Sequence, residues 1–297
     1  MQLLAKTVTG IALAFGAFVA AVYALSSYRI KQTIPFADTA PTIPRDSVSL
    51  ERGRYLVRAI AKCADCHGSD LGGGLFIDGG PLGRFYGPNL TSGTGSVTAA
   101  LTDADIVHAV RHGLGPGGRK LAWMPSEIWP TMADEDVAAI VAYIRSVPAV
   151  NRVLPPQEVG PLGRLLYVVG RLPLFEAEHM SHEAPTRIKP PVGPTAEYGG
   201  YLALIGGCRG CHGPTLSGGQ VPGTPPEFKP AANITPTGIG HYTEADFFRA
   251  MRDGLRPDGS KIDPFMPVSA TKLMTDDDTR AVWLHLQTVP GKPYGGR

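Results

Sequence analysis

The sequence predicts a mainly α-helical protein in which two tandem copies of one small helical unit follow an apolar N-terminal helix. Three observations give that class. Residues 53–148 lie over residues 199–290 piece by piece. Within each copy, helix start and stop signals recur at matched places. No charged residue falls between Lys6 and Arg29, a run of 22.

The duplication rests on four matched stretches. "GRYLVRAIAKCADCHGSDLGGG" sits on "GGYLALIGGCRGCHGPTLSGG", and "PNLTSGTG" on "ANITPTGIG". "LTDADIVHAVRHGLGPGGRKL" sits on "YTEADFFRAMRDGLRPDGSKI", and "WMPSEIWPTMADEDVAAIVAYIRSVP" on "FMPVSATKLMTDDDTRAVWLHLQTVP". The period far exceeds that of solenoid repeats, so this is a doubled domain. In the first copy Leu50, Gly53, Leu56, Val57 and Ile60 fall near one helical face, and Gly53 would let a second helix come close. A middle helix opens at Thr102 and Asp105, and at Thr243 and Asp246 in the second copy, the S/T-x-x-D/E start signal. It stops at Gly113 and Gly254. A last helix follows the acidic turns Asp134–Asp136 and Asp276–Asp278, which suit the positive end of a helix dipole. No run shows the alternation of a half-buried strand, so no sheet is expected.

The apolar stretch "GIALAFGAFVAAVYAL" is long enough to cross a bilayer, and a cleaved signal has a shorter apolar region. A cleavage point after Ala24, with Val22 and Ala24 as its small residues, keeps the signal reading open. Lys6 flanks one end and Arg29 and Lys31 the other, so charge barely orients the helix. The expected organisation is a membrane anchor or signal helix at 1–28, a polar tether at 29–48, unit one at 49–150, a Pro-rich connector at 151–197 and unit two at 198–297. Within the connector, "PLGRLLYVVGRLPLF" (161–175) reads as a short apolar helix that docks on a partner, lies on the membrane or packs between the units. With 37 Gly, 28 Pro and 18% charged residues, the units are loop-rich and need a staple or a bound group. A net charge of +2 without a basic block excludes nucleic acid as an expected partner.

The four cysteines fall in two C-x-x-C-H motifs, Cys63, Cys66, His67 and Cys208, Cys211, His212. This is the attachment signature of c-type haem: two thiols bond the vinyl groups on one porphyrin edge, and the histidine reaches the iron. The rival readings are weaker. A redox dithiol expects a βαβ context, zinc expects four ligands, and a disulfide closing over two residues is strained. Two haem c groups are therefore expected.

An iron with both axial positions filled carries electrons, and a methionine ligand raises its potential. Met124 and Met266 each precede a proline in matched loops and are the expected sixth ligands. Met132 and Met274, just before a helix start, read as staple or core residues. Asn89 and Asn233 are candidates to bond the propionates or the ligand loop, and Arg111 and Arg252 to neutralise propionates. His108 and His112 have no histidine at the matched positions and read as surface residues; His179 and His182 read as a solvated linker.

The pattern G-x-Y-L, C-x-x-C-H, G-G, N-[LI]-T, R-x-G, M-P and a final [VL]-P resembles class I cytochrome c domains, and in particular the cytochrome subunits of membrane-bound periplasmic dehydrogenases. The resemblance covers nearly all of 50–290. It implies His67 with Met124 and His212 with Met266 as axial pairs. It also implies a haem-bearing body on the periplasmic side of the bacterial inner membrane, with the N-terminal end of the helix inside. A periplasmic dehydrogenase oxidising an alcohol, aldehyde or sugar acid would donate electrons, and a quinone, cytochrome or oxidase would accept them. Many such subunits carry three haems, whereas this chain has motifs for two. Two other readings use a dihaem chain: a cytochrome c peroxidase, which needs one haem able to open, and a dihaem subunit of a haem–copper oxidase.

Overall fold

The computed structural model describes residues 2–221, 224 and 227–296. The outermost residues of the first and last expected segments, Met1 and Arg297, lie outside them. The order begins with α1 (Gln2–Lys31), α2 (Ser47–Tyr55), α3 (Cys63–His67), β1 (Gly74–Asp78), β2 (Gly83–Gly87) and α4 (Asp103–His112). It continues with β3 (Leu114–Gly115), β4 (Arg119–Lys120), α5 (Asp134–Ser146), β5 (Glu158–Val159) and α6 (Pro161–Val168). The second half holds α7 (Ala196–Ile205), α8 (Cys208–His212), α9 (Pro236–Ile239), α10 (Glu244–Asp253), α11 (Val268–Thr271) and α12 (Asp276–Thr288). The fold is mainly α, as its sequence patterns predict.

The two halves repeat one another in detail. Thr102 and Thr243 form capping boxes with Asp105 and Asp246, and α4 and α10 end on left-handed Gly113 and Gly254. Gly53 and Gly199 let the first helix of each unit touch its last. A Cβ at Gly53 would lie 1.9 Å from the Ala139 carbonyl oxygen, and one at Gly199 would lie 1.8 Å from that of Ala281. The first copy has one residue more between its tyrosine (Tyr55, Tyr201) and its first cysteine. That residue is absorbed by a π-turn over Leu56–Ile60, where α7 simply runs to Ile205.

One apolar core runs through both units, with Leu56, Val107, Met132 and Val141 from the first and Leu202, Phe247, Ala281 and Leu286 from the second. Reciprocal hydrogen bonds join the halves. The Tyr55 hydroxyl donates to Asp278 Oδ2 (2.7 Å) and accepts from the Thr275 N–H (3.2 Å). The matched Tyr201 hydroxyl donates to Asp136 Oδ2 (2.7 Å) and accepts from the Ala133 N–H (3.3 Å). Each tyrosine thus caps the start of the other unit's last helix.

Four expectations are corrected. A sheet does form: β1 pairs with β2 and β2 with β5, all antiparallel, and the connector supplies the third strand. Its short glycine-bounded strands hide any alternation, and Phe85 is the side chain it buries, in a second core with Tyr167, Leu174 and Phe175. The N-terminal helix runs to Lys31, past the expected boundary, because its last turn is held. Arg29 Nη1 donates to the carbonyls of Tyr167 (3.2 Å) and Val168 (3.3 Å), and Lys120 Nζ donates to the Arg29 carbonyl (2.6 Å). Glu178 gathers Arg29, Lys120 and the Tyr167 hydroxyl on one carboxylate.

The segment after the helix is a fixed strap where a free tether is expected. Ile34 N–H donates to the Gly118 carbonyl (2.9 Å), and Phe36 meets the His108 ring edge-on at 4.7 Å. Asp38 is buried between Arg187 Nη2 (2.7 Å) and His112 Nε2 (2.9 Å). His112 is fully buried, not a surface residue, and its ring also meets His182 (Nδ1 to Nδ1, 3.3 Å). His182 is half-buried; His179 is exposed as expected.

Burial alone would raise the Asp38 pKa, but Arg187 and His112 hold it down, from 3.8 to about 2. Its folded pKa is depressed, so its contribution is fully present above 3.8 and is lost as pH falls through about 2. Burial also lowers the His112 pKa, which acts in the same direction: stability falls as pH drops below 6.5. Asp38→Asn should therefore flatten the acid limb of a plot of melting temperature against pH. An unchanged limb would assign the acid sensitivity to other groups.

Candidate haem attachment sites

Both cysteine motifs form the same short object. A left-handed residue, Lys62 (φ 54°) or Gly207 (φ 69°), turns the chain into one helical turn, α3 or α8. Cysteines three apart on such a turn share a face. Gly68 and Gly213, also left-handed, end the turns, and the pattern continues at Leu71 (φ 57°) and Leu216 (φ 63°). Two non-glycine residues kept in this sparsely populated region at matched positions mark a backbone held by its surroundings.

The histidines are set alike. His67 Nδ1 lies 2.9 Å from the Pro88 carbonyl and His212 Nδ1 2.7 Å from that of Ala232. A carbonyl at Nδ1 places the proton there and leaves Nε2 as the metal-ligating nitrogen. His67 is buried and His212 half-buried. Burial pushes the Cys63 thiol up to about 12 and raises Cys66 and Cys208 as well. Redox thiols have lowered values, so this environment does not suit a reactive dithiol. Among the described residues no group of three or more His, Cys, Asp or Glu side chains is set to hold a metal ion.

Met124 and Met266 occupy matched loops. Each carbonyl accepts from the N–H two residues on, Ser126 (2.8 Å) and Val268 (2.7 Å), across a proline. Both methionines are half-buried and pack against the same core as Cys63 and Cys208. Met132 and Met274 are buried in that core.

The expected propionate contacts divide. Asn89 is fully buried; its Nδ2 donates to the Val150 carbonyl (2.7 Å), and its Oδ1 accepts from Thr91 N (2.9 Å) and Oγ1 (2.8 Å). Asn233 does the same with Lys292 and Thr235. Both amides therefore lock the N-[LI]-T loop to the chain end of their unit. Arg111 bonds the Met132 carbonyl (2.9 Å) and Asp134 (2.5 Å), and Arg252 pairs with Asp276.

The chain fits the group. Arg111 Nε and Nη1, Arg252 Nε and Trp123 Nε1 are buried without an acceptor. Unpaired buried donors of this kind call for an anion or acceptor that the polypeptide does not supply. Porphyrin carboxylates would supply one, with paired thiols, a fixed imidazole and a thioether completing the set.

Sequence reasoning missed the groups that join the two sites. Lys62 Nζ donates to its own Ile60 carbonyl (3.0 Å) and to the Gly206 carbonyl of the other unit, next to Gly207 and Cys208. Trp129 Nε1 donates to the Ile205 carbonyl (2.9 Å). A cation thus lies between the two attachment turns. The matched tyrosines and aspartates were visible as repeats, but nothing in a repeat says that its partners are exchanged.

Comparison with known proteins agrees with this geometry. A family profile described as cytochrome c oxidase, cbb3-type, subunit III, matches residues 48–144. The fructose dehydrogenase cytochrome subunit of Gluconobacter japonicus is 36% identical over 103 residues, 32% of this chain and 21% of that protein. The cytochrome c subunit of the quinone alcohol dehydrogenase of Gluconacetobacter polyoxogenes is 38% identical over 94 residues, 29% of this chain and 20% of that protein. These relatives are cytochrome subunits, and the chain is similar to them over the segment that holds the first C-x-x-C-H motif. A diheme cytochrome c-type protein of Cereibacter sphaeroides aligns over 257 residues at 27% identity, covering 77% of this chain and 82% of that protein. The match to the two dehydrogenase subunits spans only about a fifth of their length.

Proposed function

We propose that this chain is a membrane-anchored dihaem cytochrome c that takes electrons from a periplasmic dehydrogenase and passes them to the respiratory chain. The observation that carries the reading is the repetition: two identical attachment turns, each with its histidine pinned through Nδ1, share one core and face each other across Lys62. In this reading residues 49–150 and 198–297 are two cytochrome c domains, α1 anchors them in the bacterial inner membrane, and both lie in the periplasm.

Bound haem supplies one-electron exchange between ferric and ferrous iron. The residues do the rest. Cys63, Cys66, Cys208 and Cys211 fix each porphyrin edge. His67 and His212 present Nε2, oriented by the Pro88 and Ala232 carbonyls. Met124 and Met266 would supply the second protein ligand to each iron and keep small ligands out, which favours a carrier over a peroxidase. Arg111 and Arg252 balance propionate charge with donors otherwise unpaired. The relatives' names, fructose, alcohol and gluconate dehydrogenase, support an alcohol, sugar or sugar-acid dehydrogenase as donor; a quinone, cytochrome or oxidase would be the acceptor. The family profile favours a second reading, a subunit of a haem–copper oxidase.

Met124→Ala and Met266→Ala should each lower one potential and open one haem to carbon monoxide. Met132→Ala should leave both potentials in place and cost about 2–5 kcal/mol of stability as a core cavity. A Met132 variant that opens a haem would reassign the ligand. Purification in mild detergent, followed by haem absorbance as substrates are added, tests the partner. Reduction by an alcohol, aldehyde or sugar acid, with a large subunit present, is expected. Co-purification with a copper-containing oxidase core instead would establish the second reading.

A further inference from the structure

We infer that α6 is a second membrane element, inserted beside the anchor into the outer leaflet of the bilayer, so that the haem-bearing body is held at two points. The inference rests on the proposed reading of α1 as a retained membrane span.

The argument is one of depth. An α-helix rises 1.5 Å per residue, and the hydrocarbon core is about 30 Å thick. With Lys6 at the inner boundary, the outer boundary falls roughly 20 residues on, near Ser26. Arg29 and Lys31 then lie among the headgroups. The first turn of α6 packs below that level: Pro161, Leu162 and Leu165 line an apolar groove with Phe18, Val19 and Val22 of α1. If α1 spans, this turn cannot be in water.

The side chains of α6 match that position. Leu162 is 41% exposed, next to an anchor whose Phe15, Phe18 and Val19 are also exposed. The apolar surface is therefore continuous with the face of α1 that lipid must cover. Arg164 points the opposite way, toward the boundary. Its Nη1 donates to Ser26 Oγ (2.9 Å) and Ser27 Oγ (3.1 Å), its Nε to the Val159 carbonyl (3.2 Å), and its guanidinium sits 4.8 Å from the Tyr23 ring centre. A guanidinium that reaches up and satisfies its donors within the protein is how arginine sits at such an interface. Lys31, exposed in the last turn of α1, lies at the same level and suits lipid phosphates.

The rest of the body follows from this contact. Gly160 N–H donates to the Leu82 carbonyl (2.9 Å), so the tip of the β1–β2 hairpin lies against the start of α6 and close to the membrane surface. Unit one, clamped to Arg29 through Lys120 and Glu178, is the membrane-proximal unit.

The test uses the full chain with both haems reduced, in phospholipid nanodiscs. A nitroxide is placed singly at Leu162→Cys, Phe18→Cys or Val48→Cys, and its collisions with oxygen and with a water-soluble nickel chelate are compared. The expected oxygen-to-nickel ratio at 162 is several-fold above that at 48 and close to that at 18. A bilayer value at 18 with a water value at 162 would overturn the inference and leave the anchor. A label at 162 shielded from both reagents would mean that protein covers the groove, which also overturns it. A water value at 18 would overturn the anchor reading itself, and the inference with it.

Discussion

The fold depends on one exchange. Tyr55 of the first unit reaches Asp278 of the second, and Tyr201 of the second reaches Asp136 of the first. Each hydroxyl accepts from the N-cap N–H of a last helix and donates to the carboxylate at its third position, so one group answers two needs of a helix start. The contact has the logic of an isologous interface, in which residue i meets j and j meets i. The copies have nonetheless diverged. Asp136 is fully buried and also takes a bidentate contact from Arg52 (3.0 and 2.8 Å), which together with Tyr201 and Lys189 holds its pKa down against burial. The position matching Arg52 is Tyr198, which brings no cation to the second carboxylate, and burial leaves the Asp278 pKa raised. The second carboxylate thus has less to hold it.

Much of this was readable in the sequence because it is local. Capping boxes, C-terminal glycines and C-x-x-C-H each occupy a few consecutive residues, and the duplication displays each of them twice. Gly53 signalled a close helix contact before the Ala139 carbonyl beneath it was known. What was not readable is long-range or brief. Strands of two to five residues carry no period, so the sheet formed with Glu158 and Val159 was invisible. His112 lies on a helix whose pattern allowed it to face water; only the return of the strap at Asp38 buries it. Asn89 and Asn233 were candidates for the cofactor or the loop, and their amides turn out to hold backbone 59 to 63 residues away.

The same logic joins the N-terminal helix to the body. In the proposed reading, a transmembrane helix with a flexible tether would let the haem units swing. Here the last turn of α1, the strap over Gly118 and the connector all converge on unit one, through Glu178 on one side and Asp38 on the other. In the proposed reading, a carrier fixed in this way would meet its donor and acceptor in one orientation. The shared core and the Lys62 bridge hold the two attachment turns at a constant separation, which favours exchange between them over independent action.

The most direct measurement is electron paramagnetic resonance of the intact oxidised chain, with the protein mass determined on the same sample. The account predicts the mass of two covalent haems, two low-spin ferric signals typical of histidine–methionine ligation, and faster relaxation of each while the other iron is ferric. A single haem, a high-spin signal at either site, or two signals with no mutual effect would contradict it.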